Sequence, residues 1–127
     1  MSGDLLQRVT LPPNARIFQA GEVGDAMYLV ESGRVRIYAE ENETTRTIKE
    51  MGLGEFFGEM ALVDYKPRSA SAETLEVTTL LVITKENFHT MVLNNPNVAL
   101  LLIQVLSERL RALTAEVERL QGQRNAP

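Results

Sequence analysis

Met27-Tyr28-Leu29-Val30-Glu31-Ser32-Gly33-Arg34-Val35-Arg36-Ile37-Tyr38-Ala39 is the stretch from which the fold class follows. Four apolar residues lead into Glu31-Ser32-Gly33, which reads as a hairpin turn. Beyond it Val35, Ile37 and Ala39 alternate with Arg34, Arg36 and Tyr38, the pattern of a strand with one buried and one wet face. The same punctuation continues on both sides, where Gly21, Gly24, Gly52, Gly54 and Gly58 cut clusters such as Ile17-Phe18 and Ile48. The polar, acidic run Glu40-Glu41-Asn42-Glu43-Thr44-Thr45 reads as the exposed tip of a second hairpin, leading into Arg46 to Met51. Short strands at this spacing between residues 9 and 84 predict a sandwich or barrel.

From residue 85 to about 122 the pattern is helical. Thr84 stands before Lys85-Glu86-Asn87-Phe88 as an N-cap, and Pro96 disfavours helix at the residue before it, so a first helix ends near Asn94-Asn95. In the second helix Ala99, Ile103, Leu106, Leu110, Leu113, Val117 and Leu120 recur at spacings of 4, 3, 4, 3, 4 and 3. That is a coiled-coil seam. It extends past what so small a domain can cover, which favours a homodimer through this helix over one helix lying on its own barrel. Gly122 to Pro127 reads as a frayed end.

Composition narrows the function. The chain of 127 residues has 13 Lys+Arg against 17 Asp+Glu, a net charge of −4, one His and no Cys. A single domain of this length buries roughly two-thirds of its unfolded surface and needs no disulfide or structural metal. The absence of cysteine excludes thiolate zinc sites, iron–sulfur ligation and cysteine nucleophiles. Net negative charge without a basic cluster argues against direct nucleic-acid binding. The longest apolar stretch, Val98 to Val105, is broken by Gln104 and is too short to span a membrane. Met1-Ser2-Gly3-Asp4 lacks the basic start and apolar run of a signal peptide, so the expected location is the cytoplasm.

The chemistry is concentrated in Gly52-Leu53-Gly54-Glu55-Phe56-Phe57-Gly58-Glu59-Met60-Ala61-Leu62-Val63-Asp64-Tyr65-Lys66-Pro67-Arg68-Ser69-Ala70-Ser71-Ala72. Gly58 opens a run able to make one helical turn, whose free N–H groups suit an anion. Arg68 follows a loop later, between Pro67 and a series of small residues. One fixed guanidinium with converging amides suits a single phosphate. Glu59 would repel that phosphate, so its carboxylate is expected to point elsewhere and accept from a sugar hydroxyl. Phosphate and ribose together indicate a nucleotide.

Phe57-Gly58-Glu59-x-Ala61-Leu62, five residues, then Arg68-Ser69-Ala70-x-Ala72-x-Thr74 resembles the phosphate-binding cassette of the cyclic nucleotide-binding domain family, which includes catabolite activator proteins, kinase regulatory subunits and gated channels. Upstream, Ile17, Gly21-Glu22-x-Gly24, the apolar Met27 to Val30 and Gly33 resemble a second pattern of that family. Phe18 is bulkier than the small aliphatic usual there, a departure expected to touch packing and not ligand chemistry. The resemblance spans residues 10 to 122. It implies a mainly β fold with α: a β jelly roll, or double-stranded β-helix, with a short phosphate-cassette helix and closing C-terminal helices. It further implies that Arg68 pairs with the cyclic phosphate, that Glu59 accepts from the ribose 2′-hydroxyl, and that backbone N–H groups at Gly58, Ala61, Ser69 and Ala70 complete a cradle that also includes Met60. The Ser69 hydroxyl can join it. The last helix caps the base in this family, which makes Leu110, Leu113 and Thr114 lid candidates, with Thr114 able to read a base edge.

Competing readings are weaker. Gly52-x-Gly54-x-x-x-Gly58 has its third glycine one residue late for a dinucleotide loop. No Gly-x-x-x-x-Gly-Lys-Ser/Thr run supports triphosphate hydrolysis. His89 reads as a surface or partly packed residue, and Asp64 and Glu55, without a metal motif or nucleophile, do not make a phosphodiesterase. A cupin-type enzyme would require several His, and a jelly roll kept only for dimerisation or docking would have no use for Glu59 and Arg68 together. The expectation is therefore a non-enzymatic cyclic nucleotide sensor with no metal and no cofactor, taking cAMP in preference to cGMP. With no helix-turn-helix before Pro127, either the chain is a fragment or it signals in trans to an effector protein.

Overall fold

The computed structural model describes residues 7–64 and 66–124. Tyr65, the start Met1-Ser2-Gly3-Asp4 and the last residues of the expected frayed end lie outside them. Among the described residues the strands are β1 (Gln7–Leu11), β2 (Arg16–Phe18), β3 (Ala26–Ser32), β4 (Val35–Glu41), β5 (Thr44–Met51), β6 (Phe56–Phe57), β7 (Ser71–Thr74) and β8 (Thr78–Thr84). A 3₁₀ turn, Glu59–Leu62, lies between β6 and β7, and the helices α1 (Lys85–Asn94) and α2 (Asn97–Arg124) follow β8. The chain divides into two units, residues 1–89 and 90–127.

In the first unit two antiparallel four-stranded sheets, ordered β1-β8-β3-β6 and β2-β7-β4-β5, share one core. Val30, Phe57 and Leu80 of one sheet meet Val35, Met51 and Ala72 of the other. The two sheets bury these side chains against each other because each has only one apolar face to hide.

Gly33 is not a hairpin turn. β3 pairs with β6 and β8, whereas β4 pairs with β5 and β7, so the chain crosses from one sheet to the other at this glycine. Its φ is +96°, and a Cβ there would lie 2.4 Å from Thr78 Oγ1 and 2.5 Å from the Val77 carbonyl. Only glycine fits both constraints. The crossing places Val30 and Val35, fully buried, on opposite walls of the core.

The second expected hairpin is present, with β4 and β5 joined through Asn42 and Glu43 at φ 51° and 70°. Positive φ at both central residues is the geometry that matches strand twist in a two-residue turn. The register shifts between Ile37 and Tyr38, whose partners are Lys49 and Thr47, which leaves Ile48 as the extra residue, exposed on β5. Tyr38, expected on a wet face with Arg36, is buried, because the Arg36 guanidinium lies 4.3 Å over its ring and ion-pairs with Glu73 at 2.6 Å.

Thr84 Oγ1 accepts from Asn87 N–H at 3.1 Å, the N-cap bond expected at the start of α1. The helix stops at Asn94, before Pro96, as predicted. α2 continues through Gly122 to Arg124, so the chain does not fray at Gly122. Ile103, Leu110, Leu113, Val117 and Leu120 of the expected seam are all exposed along it. No helix among the described residues is long and apolar enough to cross a membrane.

Candidate functional site

The 3₁₀ turn begins where β6 ends. Gly58 precedes it with φ 77°, a left-handed conformation that glycine adopts freely. Within the turn Ala61 N–H donates to Gly58 O at 3.3 Å and Val63 N–H to Met60 O at 3.1 Å. The i→i+3 closure therefore engages the Ala61 N–H that the sequence reading expected in the cradle. Glu59 and Ala61 are buried, whereas Met60 is exposed. A buried carboxylate such as that of Glu59 is unlike a solvated surface glutamate, because taking it out of water is costly unless it is hydrogen-bonded or paired.

Arg68 is fixed at both main chain and side chain. Its N–H donates to Glu22 O at 2.7 Å and its carbonyl accepts from Gly21 N–H at 2.8 Å. These two bonds strap the loop between β2 and β3 onto the cassette, so the two sequence patterns are halves of one structure. Arg68 Nη1 donates to Gly58 O at 3.0 Å and Nη2 to Ala26 O at 2.8 Å. Both acceptors are neutral, so they orient the guanidinium without cancelling its charge. Arg68 Nε is buried and has no hydrogen-bond partner. A buried donor of this kind is expensive to leave unmatched.

Glycine makes the space for this side chain. A Cβ at Gly24 would lie 2.4 Å from Arg68 Nη2, and one at Gly58 would lie 2.8 Å from Nη1. Phe18 also belongs to the site: its ring centroid is 4.2 Å from Arg68 Cζ. The departure in packing expected at Phe18 therefore reaches the Arg68 guanidinium itself. Burial pushes the Tyr28 phenol above its ordinary pKa, an effect the nearby Arg68 charge partly opposes.

Ser69 is exposed and Ala70 half-buried, in the bend that carries the chain from Arg68 into β7. The serine tied down here is Ser71, whose Oγ accepts from Ala20 N–H at 2.9 Å. Thus Gly58, Glu59, Met60, Ala61, Arg68, Ser69 and Ala70 are all carried by the cassette of the first unit. Leu110, Leu113 and Thr114 lie on α2 in the second unit and are exposed. Glu55 and Asp64 hold turns, accepting from Gly52 N–H at 2.9 Å and Lys66 N–H at 3.2 Å. Among the described residues no group of three or more His, Asp or Glu is placed to hold a metal ion.

What sequence reasoning missed is the underside of the arginine: the Ala26 carbonyl, the Phe18 ring and the purpose of Gly24. Gly24 was visible as a fixed spacing, but the residue it makes room for is far along the chain.

Comparison with known proteins gives a consistent result. Residues 8–95 match the cyclic nucleotide-binding domain family. The chain is 40% identical over 113 residues to the cyclic AMP receptor protein of Thermus thermophilus, covering 88% of this chain and 52% of that protein. Its structure superposes on the crystal structure of Thermus thermophilus catabolite activator protein with a TM-score of 0.85 at 39% identity, covering 92% of this chain and 55% of the other. The EAL enzyme Bd1971 is similar in its cAMP-bound form (TM-score 0.65, 36% identity, 94% of this chain and 34% of that one) and in its cGMP-bound form (0.64, 40%, 83% and 28%). The chain spans about half the length of the first two of these relatives.

Proposed function

The chain belongs to the cyclic nucleotide-binding domain family, with the β-roll fold of its catabolite-activator neighbours, and from that premise we propose that it is a non-enzymatic cyclic nucleotide sensor anchored by Arg68. The observation that carries this reading is the Arg68 guanidinium, held by two neutral carbonyls with Nε buried and unmatched. A cyclic phosphodiester supplies the acceptor and the opposite charge. Arg68 pairs with its exocyclic oxygens, Glu59 accepts from the ribose 2′-hydroxyl, and main-chain N–H groups of Gly58, Ser69 and Ala70 face the same phosphate. Met60, exposed at the turn, borders it.

The nucleotide is cAMP in preference to cGMP. Similarity to the cyclic AMP receptor protein of Thermus thermophilus supports this choice, while similarity to Bd1971 in both its cAMP-bound and its cGMP-bound form requires that both nucleotides be tested. The exposed seam of α2 supports a homodimer, and Thr114 on the same helix is proposed to read the base. The domain passes its ligand state to an effector, in trans or in a longer chain, in the cytoplasm. It binds no nucleic acid directly and works without metal or cofactor.

A ligand shifts a conformational equilibrium only by its differential affinity for the two states. Nucleotide at 100 times its dissociation constant is therefore expected to raise unfolding stability by about 2.7 kcal/mol. Thermal or chemical unfolding with and without each nucleotide reads this directly, and no shift with either one counts against the proposal.

A further inference from the structure

We propose that Phe18 is a positioning residue for the bound phosphate, its ring setting the tilt of the Arg68 guanidinium so that one edge is presented in a single orientation. This rests on the reading of Arg68 as the phosphate anchor. A guanidinium forms hydrogen bonds in its plane and stacks through its faces. The in-plane bonds to Gly58 O and Ala26 O fix two directions but leave the plane free to rock about the line between them. The Phe18 ring, 4.2 Å from Cζ, closes that freedom and attracts the cation through its quadrupole.

The ring is itself held. Phe18 lies 5.9 Å from the Tyr28 ring and 6.0 Å from the Phe57 ring, and Tyr28 and Phe57 stack at 5.4 Å. Phe18 comes from β2 of one sheet, Tyr28 and Phe57 from β3 and β6 of the other, so the platform is built where the two sheets meet. A Cβ at Gly58 would stand 3.5 Å from Phe18 Cε2 as well as 2.8 Å from Arg68 Nη1, so the glycine keeps ring and guanidinium close together. On this inference the ring, with its centroid 4.2 Å from Cζ, takes a face of the guanidinium and an edge is left to the phosphate, so that the two do not compete. An aliphatic side chain at position 18 fills space but supplies neither the flat support nor the quadrupole.

The test is calorimetric titration of cAMP into the wild-type chain, Phe18→Leu, Phe18→Met and Phe18→Tyr, with the Arg68 guanidinium resonances followed by NMR in the free proteins. Loss of the ring is expected to weaken cAMP binding roughly five- to thirtyfold, which corresponds to about 1–2 kcal/mol. Phe18→Tyr is expected to stay near wild type. The Arg68 guanidinium protons carry the ring-current shift of a stacked group in the wild type and in Phe18→Tyr, and lose it in Phe18→Leu and Phe18→Met. If Phe18→Leu does not fold, Phe18→Met, closer to the ring in volume, is read in its place. Equal affinity of a folded ring-less variant and the wild type overturns the inference, as does an unchanged guanidinium resonance. Failure of the wild type itself to bind overturns instead the reading of Arg68.

Discussion

At Gly24 the missing side chain is what the site uses. A Cβ there would collide with Arg68 Nη2, Nε and Cζ at 2.4, 2.7 and 2.8 Å, all atoms of a flexible side chain and none of them backbone. Gly24→Ala should therefore expel the guanidinium from its seat and leave the sheets intact. The expected outcome is a loss of cyclic nucleotide affinity of roughly tenfold or more, about 1.4 kcal/mol or above. Denaturant unfolding of the free protein should show an unchanged m value, because the surface exposed on unfolding is the same. Arg68 itself was legible in the sequence because Pro67 and the small residues after it surround it locally. Its supports were not: Ala26 O is 42 residues earlier, and nothing in the vicinity of Phe18 announces which cation will stack on it.

Among the elements, the β4–β5 hairpin shows how local chemistry becomes readable. A polar run between two alternating segments has few alternatives to a tip, and Asn42 and Glu43 accept the turn at φ 51° and 70°. Asparagine tolerates that region, but glutamate does not favour it. Glu43→Gly is expected to stabilise the domain by about 0.5–1 kcal/mol, since Asn-Gly is the preferred pair for such a turn. The denaturant midpoint should rise with no change in nucleotide affinity. The segment at Gly33 shows the converse. Glycine there reads as a reversal, but the chain runs on from β3 into β4 without turning back, because the partners of Val35 are Met51 and Thr74 and sheet membership is decided by those distant pairings. The constraint that fixes the crossing, the close approach of Gly33 to Thr78, is likewise invisible until β8 is in place.

On the scale of the molecule, two features are assigned a partner by the proposal: the Arg68 site of the first unit and the apolar row on α2 of the second. Leu110, Leu113, Val117 and Leu120 are each at least half exposed, a row that water disfavours and that a second copy of the same helix would cover. Sedimentation should show a dimer. Val117→Lys with Leu120→Lys should return it to a monomer by placing like charges along the paired seam. A monomeric wild type at working concentration would contradict the homodimer. The heptad spacing made this seam legible, because helix periodicity is a local property, whereas its occupant is not written in the spacing.

The account stands on the capture of a cyclic phosphodiester by one prearranged guanidinium, and calorimetry of cAMP and cGMP binding to the wild type and to Arg68→Ala tests it most directly. The predicted result is saturable binding to the wild type, with Arg68→Ala weakened by about 2–5 kcal/mol because a desolvated phosphate is left unpaired. Folded wild-type protein that gives no binding heat with either nucleotide, or an Arg68→Ala variant whose affinity lies within about tenfold of wild type, would contradict it.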